Sequence, residues 1–406
     1  MENKKYIKVL FDQRVIPNYR AGVFRKLANM PNIDLTVSYW NNRFTDNTPH
    51  VYGELGFKTV DLKPISYRIN GKYYWLNIDL VKYVFRKRPD VIIGPIGMFC
   101  VKPVLSKPVE SVLRFLTGVR FVYRTSFGLL PGVQPNTSPK GLRKLFYKML
   151  YRDVIVTTYT ERAASIAIKQ GCPSDRLFID YNSMDSDELL TLREQLAKTE
   201  NKWKDNFYNK YGIADNGFVL FVSRISREKR LDVLIDAWKL VVEKFKNVQL
   251  VVVGSGPGKA EAKQRAQDLG EHIIFVDGIY ETEELAKFYY LASMVVFPGY
   301  ATLSTHFAMC FGKPIISSQY GNEAEYVRDG VNGFVYDYGN VEGLAKKIEP
   351  LLENKKLAEC FGFESERIVR EKINVGHMVE TIHSAINVAM GDVNGMDTKT
   401  GSARCM

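Results

Sequence analysis

Short apolar runs recur along the chain, separated by stretches in which apolar residues return every third or fourth position. YIKVLFD (6–12), IDLTVSYW (33–40), DVIIGP (90–95), VRFVYRT (119–125) and DVIVTTY (153–159) read as strands. AGVFRKLANM (21–30) spaces Val23, Phe24, Leu27 and Ala28 at helical intervals, and ERAASIAIKQG (161–171) reads as a helix ending at Gly171. The second half repeats the alternation. FVLFVSR, VQLVVVG, HIIFVDG, MVVFPG and KPIISS read as strands. LDVLIDAWKLVVEKF (231–245) places Leu231, Leu234, Ile235, Trp238, Val242 and Phe245 on one helical face. Strands alternating with helices predict parallel pairing in doubly wound sheets.

A chain of 406 residues is too long for one ordinary domain. It turns polar and charged from Asp187 to Tyr211, which puts a boundary near 190–215. The expected division is 1–200 and 201–375, then a final helix over 376–390 that packs back on the first domain, and a flexible tail over 391–406.

The formal net charge of +11 is unevenly spread. Residues 1–150 hold 25 Lys+Arg against 9 Asp+Glu, a balance of +16, and the remainder sums to −5. The basic half is suited to an anionic partner, and equally to a solvated basic surface. Gly141 to Arg152 sharpens that choice. Leu142, Leu145, Phe146, Met149 and Leu150 share one face, with Lys140, Arg143, Lys144, Lys148 and Arg152 around the other. The pattern fits an interfacial helix on anionic lipid, and it fits a core helix with a basic outer face.

Five scattered cysteines form no CxxC pair, which argues against structural zinc and disulfides and suits a reducing cytoplasm. The opening MENKKYIKVLFDQ has too short an apolar stretch for a signal peptide. Residues 288–312 lack Asp, Glu, Lys and Arg, but Pro298, Gly299, Thr302, Ser304, Thr305 and His306 interrupt them. The segment therefore reads as strand, loop and buried helix, not as a membrane span.

Three segments could carry chemistry. Arg224 ends a strand and Lys229 lies where the next helix begins, so both cations can meet a helix N-terminus and stabilise a leaving diphosphate. The same charges fit a solvated loop that also holds Arg227 and Arg230. Gly254-Ser255-Gly256-Pro257-Gly258 follows an apolar run. Its G-x-G-x-G spacing, with a proline inside, fits a dinucleotide turn poorly and fits either a tight structural turn or a ligand contact. In Pro298 to Pro314 a small-residue loop precedes an apolar helix. Gly299, Ala301 and Thr302 would leave backbone N–H groups open to a sugar or phosphate, and Phe307, Met309 and Phe311 read as core.

Together these segments resemble the retaining glycosyltransferases of family 4. SRISREK (223–229) is similar to the G-R-x4-K donor motif, with Ser223 for the glycine. VVVGSGPG is similar to I-x-G-x-G-P. Asp277-Gly278-Ile279-Tyr280 resembles the loop that reads the nucleotide base, and Glu325 to Gly333 resembles P-E-x-V-x-D-G-x-x-G. The family's paired glutamates, Glu-x7-Glu, fall at 299 and 307, where this chain has Gly299 and Phe307. It resembles a bacterial subgroup with P-G-x-x-G-L in that loop, here Pro298 to Leu303. IPNYRAGVFRKL (16–27) resembles members with Y-R-x3-F in their first loop, which implies that Arg20 lies near the crevice. The histidine that many members carry after the strand VRFVYRT is replaced by Arg124, Thr125 or Ser126.

The resemblance implies an α/β GT-B fold, two Rossmann-like doubly wound domains facing a central cleft. It implies a retaining hexosyltransferase-type enzyme of surface polysaccharide or glycoconjugate synthesis. A sugar would pass from a UDP- or GDP-linked donor in the second domain to a glycan or lipid-linked acceptor in the first. No metal, cofactor or nucleic acid would be needed. Arg224 and Lys229 would be catalytic. Gly254, Gly256, Gly278, Ile279, Gly299, Tyr300, Ala301, Thr302, Leu303, Glu325 and Arg20 would bind the donor. The absence of an evident side-chain nucleophile suits a front-face mechanism assisted by the leaving phosphate. The expected location is cytoplasmic, on the inner face of an anionic membrane. The alternative is a non-catalytic GT-B-like subunit that binds a partner or membrane.

Overall fold

The computed structural model describes residues 6–13, 15–40, 55–69, 72–100, 103–126, 139–301, 303–321 and 323–391. They form two compact units. The first takes in the described residues up to Tyr181 and those from Gly376 onward, and the second is Asn182–Val375.

In the first unit seven strands lie in the order Lys58–Asp61, Ile33–Tyr39, Ile7–Asp12, Val91–Gly94, Arg120–Thr125, Ile155–Thr158, Leu177–Ile179. Every pairing among them is parallel. Ile7–Asp12 and Val91–Gly94 are neighbours, yet the chain winds away from them toward opposite edges. Their carboxyl ends frame the crevice where doubly wound sheets bind ligands. An antiparallel hairpin, Ile65–Ile69 with Lys72–Leu76, stands outside this sheet. Apolar runs alone do not reveal it: its signal is the alternation Ile65-Ser66-Tyr67-Arg68-Ile69 ahead of Asn70-Gly71.

The second sheet runs Ile273–Val276, Gln249–Val253, Phe218–Val222, Met294–Phe297, Ile315–Ser318, Gly333–Tyr336, again all parallel. Its switch point lies between Phe218–Val222 and Met294–Phe297. Strands such as FVLFV and VVV are apolar throughout because helices cover both faces. The helix Leu231–Lys244 buries Leu231, Leu234, Ile235, Trp238 and Val241 against them. The Trp238 indole N–H donates to His272 O at 2.8 Å, so this large ring is buried without an orphaned donor.

The polar stretch that marks a boundary in the sequence is two helices, Ser186–Lys198 and Glu200–Tyr211. They bury Leu189, Leu196, Phe207 and Tyr208. Phe207 meets Phe288 edge-on at 4.6 Å between ring centroids. A few apolar side chains per helix suffice to dock it by one side, and the charged remainder stays in water. The second unit accordingly starts at Asn182, ahead of that stretch.

The last helix, Val375–Met390, contributes to the first unit from Gly376 on. It buries Met378, Val379, Ile382, Ala385 and Ile386. Arg20 Nη1 lies 3.6 Å from Met378 Sδ, and the Tyr181 and His377 rings are 5.4 Å apart. Residues 392–406, where a flexible tail is expected, lie outside the described residues.

The helix Leu142–Leu150 buries Leu150 and leaves most of its apolar stripe in solvent. Leu142 is 86% exposed and Leu145 59%. The neighbouring helix Pro103–Thr117 exposes Leu105, Val112, Leu116 and Phe115, the last to 88%. No described helix is long and apolar enough to cross a membrane.

Candidate functional site

The loops that follow the strands of the second sheet stack on one another at its carboxyl edge. Ser223 N donates to Val253 O at 3.2 Å, Ile225 N to Ser255 O at 3.0 Å, and Gly254 N to Val276 O at 3.1 Å. Gly258 N donates to Ile225 O at 3.1 Å, and Gly278 N to Ser255 Oγ at 2.9 Å. A Cβ on Gly254 would stand 2.0 Å from Ser223 O, and one on Gly256 2.3 Å from Ile225 O. Gly254 and Gly256 are therefore glycines because two backbones touch there. Of the two roles open to this loop in the sequence, the tight structural turn is the one these contacts explain.

The next loop packs the same way across the switch point. Tyr300 N donates to Glu228 O at 2.9 Å, and a Cβ on Gly299 would lie 2.2 Å from that same oxygen. Ala301 N donates to Tyr320 O at 2.9 Å, and Ser318 Oγ to Gly299 O at 2.6 Å. The expectation that Ala301 offers an open N–H is thus corrected: the group is used inside the fold, and Ala301 is fully buried. The contact comes from Tyr320, far along the chain, which local spacing does not reveal. Thr302 lies outside the described residues. Leu303 precedes the short helix Ser304–Cys310 and accepts from Phe307 N at 3.0 Å.

Lys229 reaches into this junction. Its Nζ donates to Tyr300 O at 2.9 Å and sits 5.3 Å from the Tyr300 ring centroid. It does not stand at the helix start as its spacing suggests. A 3-10 turn, Arg227–Lys229, comes first, and Arg230 then adopts left-handed backbone (φ 52) before the helix begins at Leu231. The Arg230 guanidinium is directed to Asp232 at 2.9 Å and over the Tyr338 ring at 5.1 Å. Arg224 is exposed. Burial pushes the Glu228 carboxyl up, but the Ser226 hydroxyl, the Glu228 N–H, Lys229 and Arg224 outweigh it and hold the group below the usual carboxylate range. Lys229 is held by Tyr300 O while Arg224 stays exposed, and both lower the pKa of the Glu228 carboxyl. Glu228 was not singled out in the sequence, where it is one of several charges in a row.

The remaining donor-site candidates line the same edge at different depths. Gly278 is tied to Ser255, Ile279 is half-buried, and Tyr280 is 67% exposed. Glu325 is half-buried in the turn Glu323–Tyr326. That turn is fixed by the buried Asn332, which accepts from Arg328 N at 2.7 Å and donates to Tyr326 O at 3.1 Å. Phe307 is core, stacked on Tyr289 at 4.4 Å and Phe311 at 5.2 Å. His306 is buried as well, with Nε2 at 2.8 Å from Ile373 O and Nδ1 at 3.4 Å from Met184 N. Among the described residues no group of three or more His, Cys, Asp and Glu side chains is arranged to hold a metal ion.

Arg20 belongs to the first unit. It lines a cavity of about 450 Å³ at that sheet's switch point, with Asp12, Trp40, Trp75, Arg124 and Tyr159. Arg124 Nε donates to the buried Asp180 at 2.7 Å and Nη1 to Tyr159 OH at 2.9 Å. Its guanidinium lies 4.4 Å from the Tyr159 ring centroid. Ser38 Oγ donates to Asp12 at 2.7 Å. Trp75 arrives on the unpredicted hairpin, 6.3 Å from Trp40. Sequence alone singled out Arg20 and the region of Arg124, but neither tryptophan.

Two parallel doubly wound units, each with candidate residues along the carboxyl edge of its sheet, define the GT-B class of glycosyltransferase folds. Solved structures agree. The chain is similar to the Anabaena protein HepE solved with UDP, at 18% identity and TM-score 0.68, covering 94% of this chain and 99% of that one. It is also similar to a glycosyltransferase from Rickettsia africae, at 14% identity and TM-score 0.70, covering 95% and 99%. Residues 204–367 match the family described as "Glycosyl transferases group 1". The Staphylococcus aureus capsular polysaccharide biosynthesis glycosyltransferase CapM is 24% identical over 211 residues, 50% of this chain and 53% of CapM. The chain therefore spans about half the length of that curated relative.

Proposed function

We propose that the protein moves a sugar from a UDP- or GDP-linked donor to a glycan or lipid-linked acceptor, with retention of configuration. It would act as a hexosyltransferase of surface polysaccharide or glycoconjugate synthesis, with the donor on the second unit and the acceptor on the first. The observation that carries this is the Lys229 ammonium held across the switch point of the second sheet by Tyr300 O. As the bond from the anomeric carbon to the diphosphate breaks, negative charge grows on the leaving oxygens. Lys229, joined by the exposed Arg224, would stabilise that change without a metal. The acceptor hydroxyl attacks from the same face and passes its proton to the leaving phosphate. HepE, solved with UDP, and CapM, named for capsular polysaccharide, support this reading by similarity.

Release of UDP or GDP from nucleotide sugars by the purified chain tests it. Lys229→Ala and Arg224→Ala should each slow turnover on the order of 10²-fold, with melting temperature little changed. Wild-type rates in both variants reject the donor-site assignment.

The exposed apolar side chains of Leu142–Leu150 and Pro103–Thr117 support a peripheral position on the cytoplasmic face of an anionic membrane. Lys144 and Lys148 are exposed on the first helix. On the second, Lys107 and Arg114 reach the turn after Leu150, each 3.2 Å from a backbone oxygen there. Apolar insertion flanked by cations is how interfacial helices bind lipid. The protein should sediment with anionic vesicles and be released by salt, and Lys144→Glu with Lys148→Glu should weaken binding. Equal recovery on neutral and anionic vesicles rejects the membrane reading.

A further inference from the structure

We infer that the cavity of the first unit selects an acceptor sugar carrying a phosphate or carboxylate, seated at Arg20 and Arg124 with the ring against Trp40 and Trp75. The inference rests on the reading that the first unit holds the acceptor, and it names the class of that acceptor.

Three observations converge. Arg20 and Arg124 are 6% and 7% exposed and line one cavity. Burial first, and the like charge of Arg124 second, hold the Arg20 guanidinium below its ordinary pKa. Asp180 already pairs with Arg124 at 2.7 Å, so the charge offered to a ligand is chiefly that of Arg20, whose guanidinium fork matches phosphate and carboxylate oxygens. The same bond, to Nε, orients the Arg124 guanidinium.

The helix Asn18–Ala28 begins at the same cavity, which Pro17 and Tyr19 also line. It has no acidic residue in its first turn and no side-chain cap at its N-terminus. Its positive dipole end adds to the field of the two arginines. Trp40 and Trp75, tilted 39° to each other, present flat apolar surface suited to the C–H faces of a sugar. Asp12, oriented by Ser38, lines the same cavity and can accept from a sugar hydroxyl.

The test is calorimetric titration of the full chain with glucose 6-phosphate, glucuronate, glucose and UDP. Both anionic sugars should bind, and glucose should bind about tenfold more weakly or not at all. Arg20→Gln should weaken the anionic sugars about tenfold, and Trp75→Ala should weaken all three sugars. UDP affinity should be unchanged in Trp75→Ala and, against the donor-binding role that the resemblance implies for Arg20, in Arg20→Gln as well. Equal affinity for glucose and glucose 6-phosphate overturns the inference. So does displacement of glucose 6-phosphate by UDP, or a loss of UDP affinity in Arg20→Gln, because the anion at the arginines would then be the donor's diphosphate. Circular dichroism identifies a misfolded Arg20→Gln, in which case the wild-type preference among the sugars decides. Donor turnover is scored separately. A chain that prefers anionic sugars but releases no UDP or GDP overturns the transfer reading, not the anion site.

Discussion

Gly299→Ala should lower the melting temperature and remove most donor turnover, although it adds a single methyl group. That methyl carbon would stand 2.2 Å from Glu228 O, 2.5 Å from Lys229 C and 2.7 Å from Lys229 O. All three are backbone atoms of the turn that aims Lys229, so no rotamer change relieves the clash. Overpacking of this kind costs about 1–3 kcal/mol, and in a unit of this size each kcal/mol lowers the melting temperature by roughly 2–4 °C. The larger effect is on chemistry. Moving the turn by an ångström displaces the ammonium from Tyr300 O, and a shift of that size costs on the order of 10²-fold in rate. Gly258→Ala is the matched control. There the nearest atoms to a new Cβ, Ile225 Cγ2 and Ile225 O, lie at 3.4 Å, and the backbone is right-handed helical. Calorimetry with donor-turnover assays on both variants checks the pair. Equal behaviour of the two would show that the close approach at Gly299 has no consequence.

Phe307→Glu, which writes in the family's second glutamate, should destabilise the protein by about 3–5 kcal/mol and weaken nucleotide-sugar binding. The position is 4% exposed, between the rings of Tyr289 and Phe311. Neither ring carries a positive charge to pair with a carboxylate, and Tyr289 is itself fully buried. The new group would be buried as an unpaired anion or forced to take up a proton. Phe307→Leu keeps apolar volume at the site and should be tolerated far better. Thermal melts and donor titrations of the two variants provide the check. Tighter donor binding by Phe307→Glu at an unchanged melting temperature would make position 307 an open ribose contact. It would also remove the case for a subgroup lacking the paired glutamates.

Both positions show what the sequence disclosed and what it withheld. The apolar runs located five of the seven strands of the first sheet and five of the six of the second, missing the three- and four-residue strands Lys58–Asp61, Leu177–Ile179 and Gly333–Tyr336, and the spacing within 231–245 located the helix that covers the second. Phe307 and Met309 were legible as core from their apolar neighbours. The glycines were legible as special, but their partners in the fold were not. Gly254 read equally as a tight turn or a ligand contact and Gly299 as a place for a ligand's approach, and each admits a backbone loop from another strand. Such contacts join residues far apart in sequence, where no periodicity links them. The same holds in the first unit. Arg20, Arg124, Trp40 and Trp75 come from a helix start, a strand end, a loop and a hairpin, and only the sheet order brings them to one cavity. The two helices over 186–211 were hidden for another reason. Their composition is that of a solvated linker, with few apolar residues per turn to dock them.

The way the chain passes between its two units bears on how it is made. The second unit is uninterrupted among its described residues from Asn182 to Val375, and its ends are tied, Val375 N donating to Ser186 Oγ at 3.0 Å. It is in effect an insertion within the first. A ribosome delivers everything the second unit needs before it delivers the helix that covers Arg20 and completes the first. The domain begun earliest is therefore finished last. Until Met378, Ile382 and Ile386 emerge, their apolar berth on the nascent first unit stays open to water and to chaperones. A premature stop anywhere before that helix would leave a folded second unit joined to an unfinished first one.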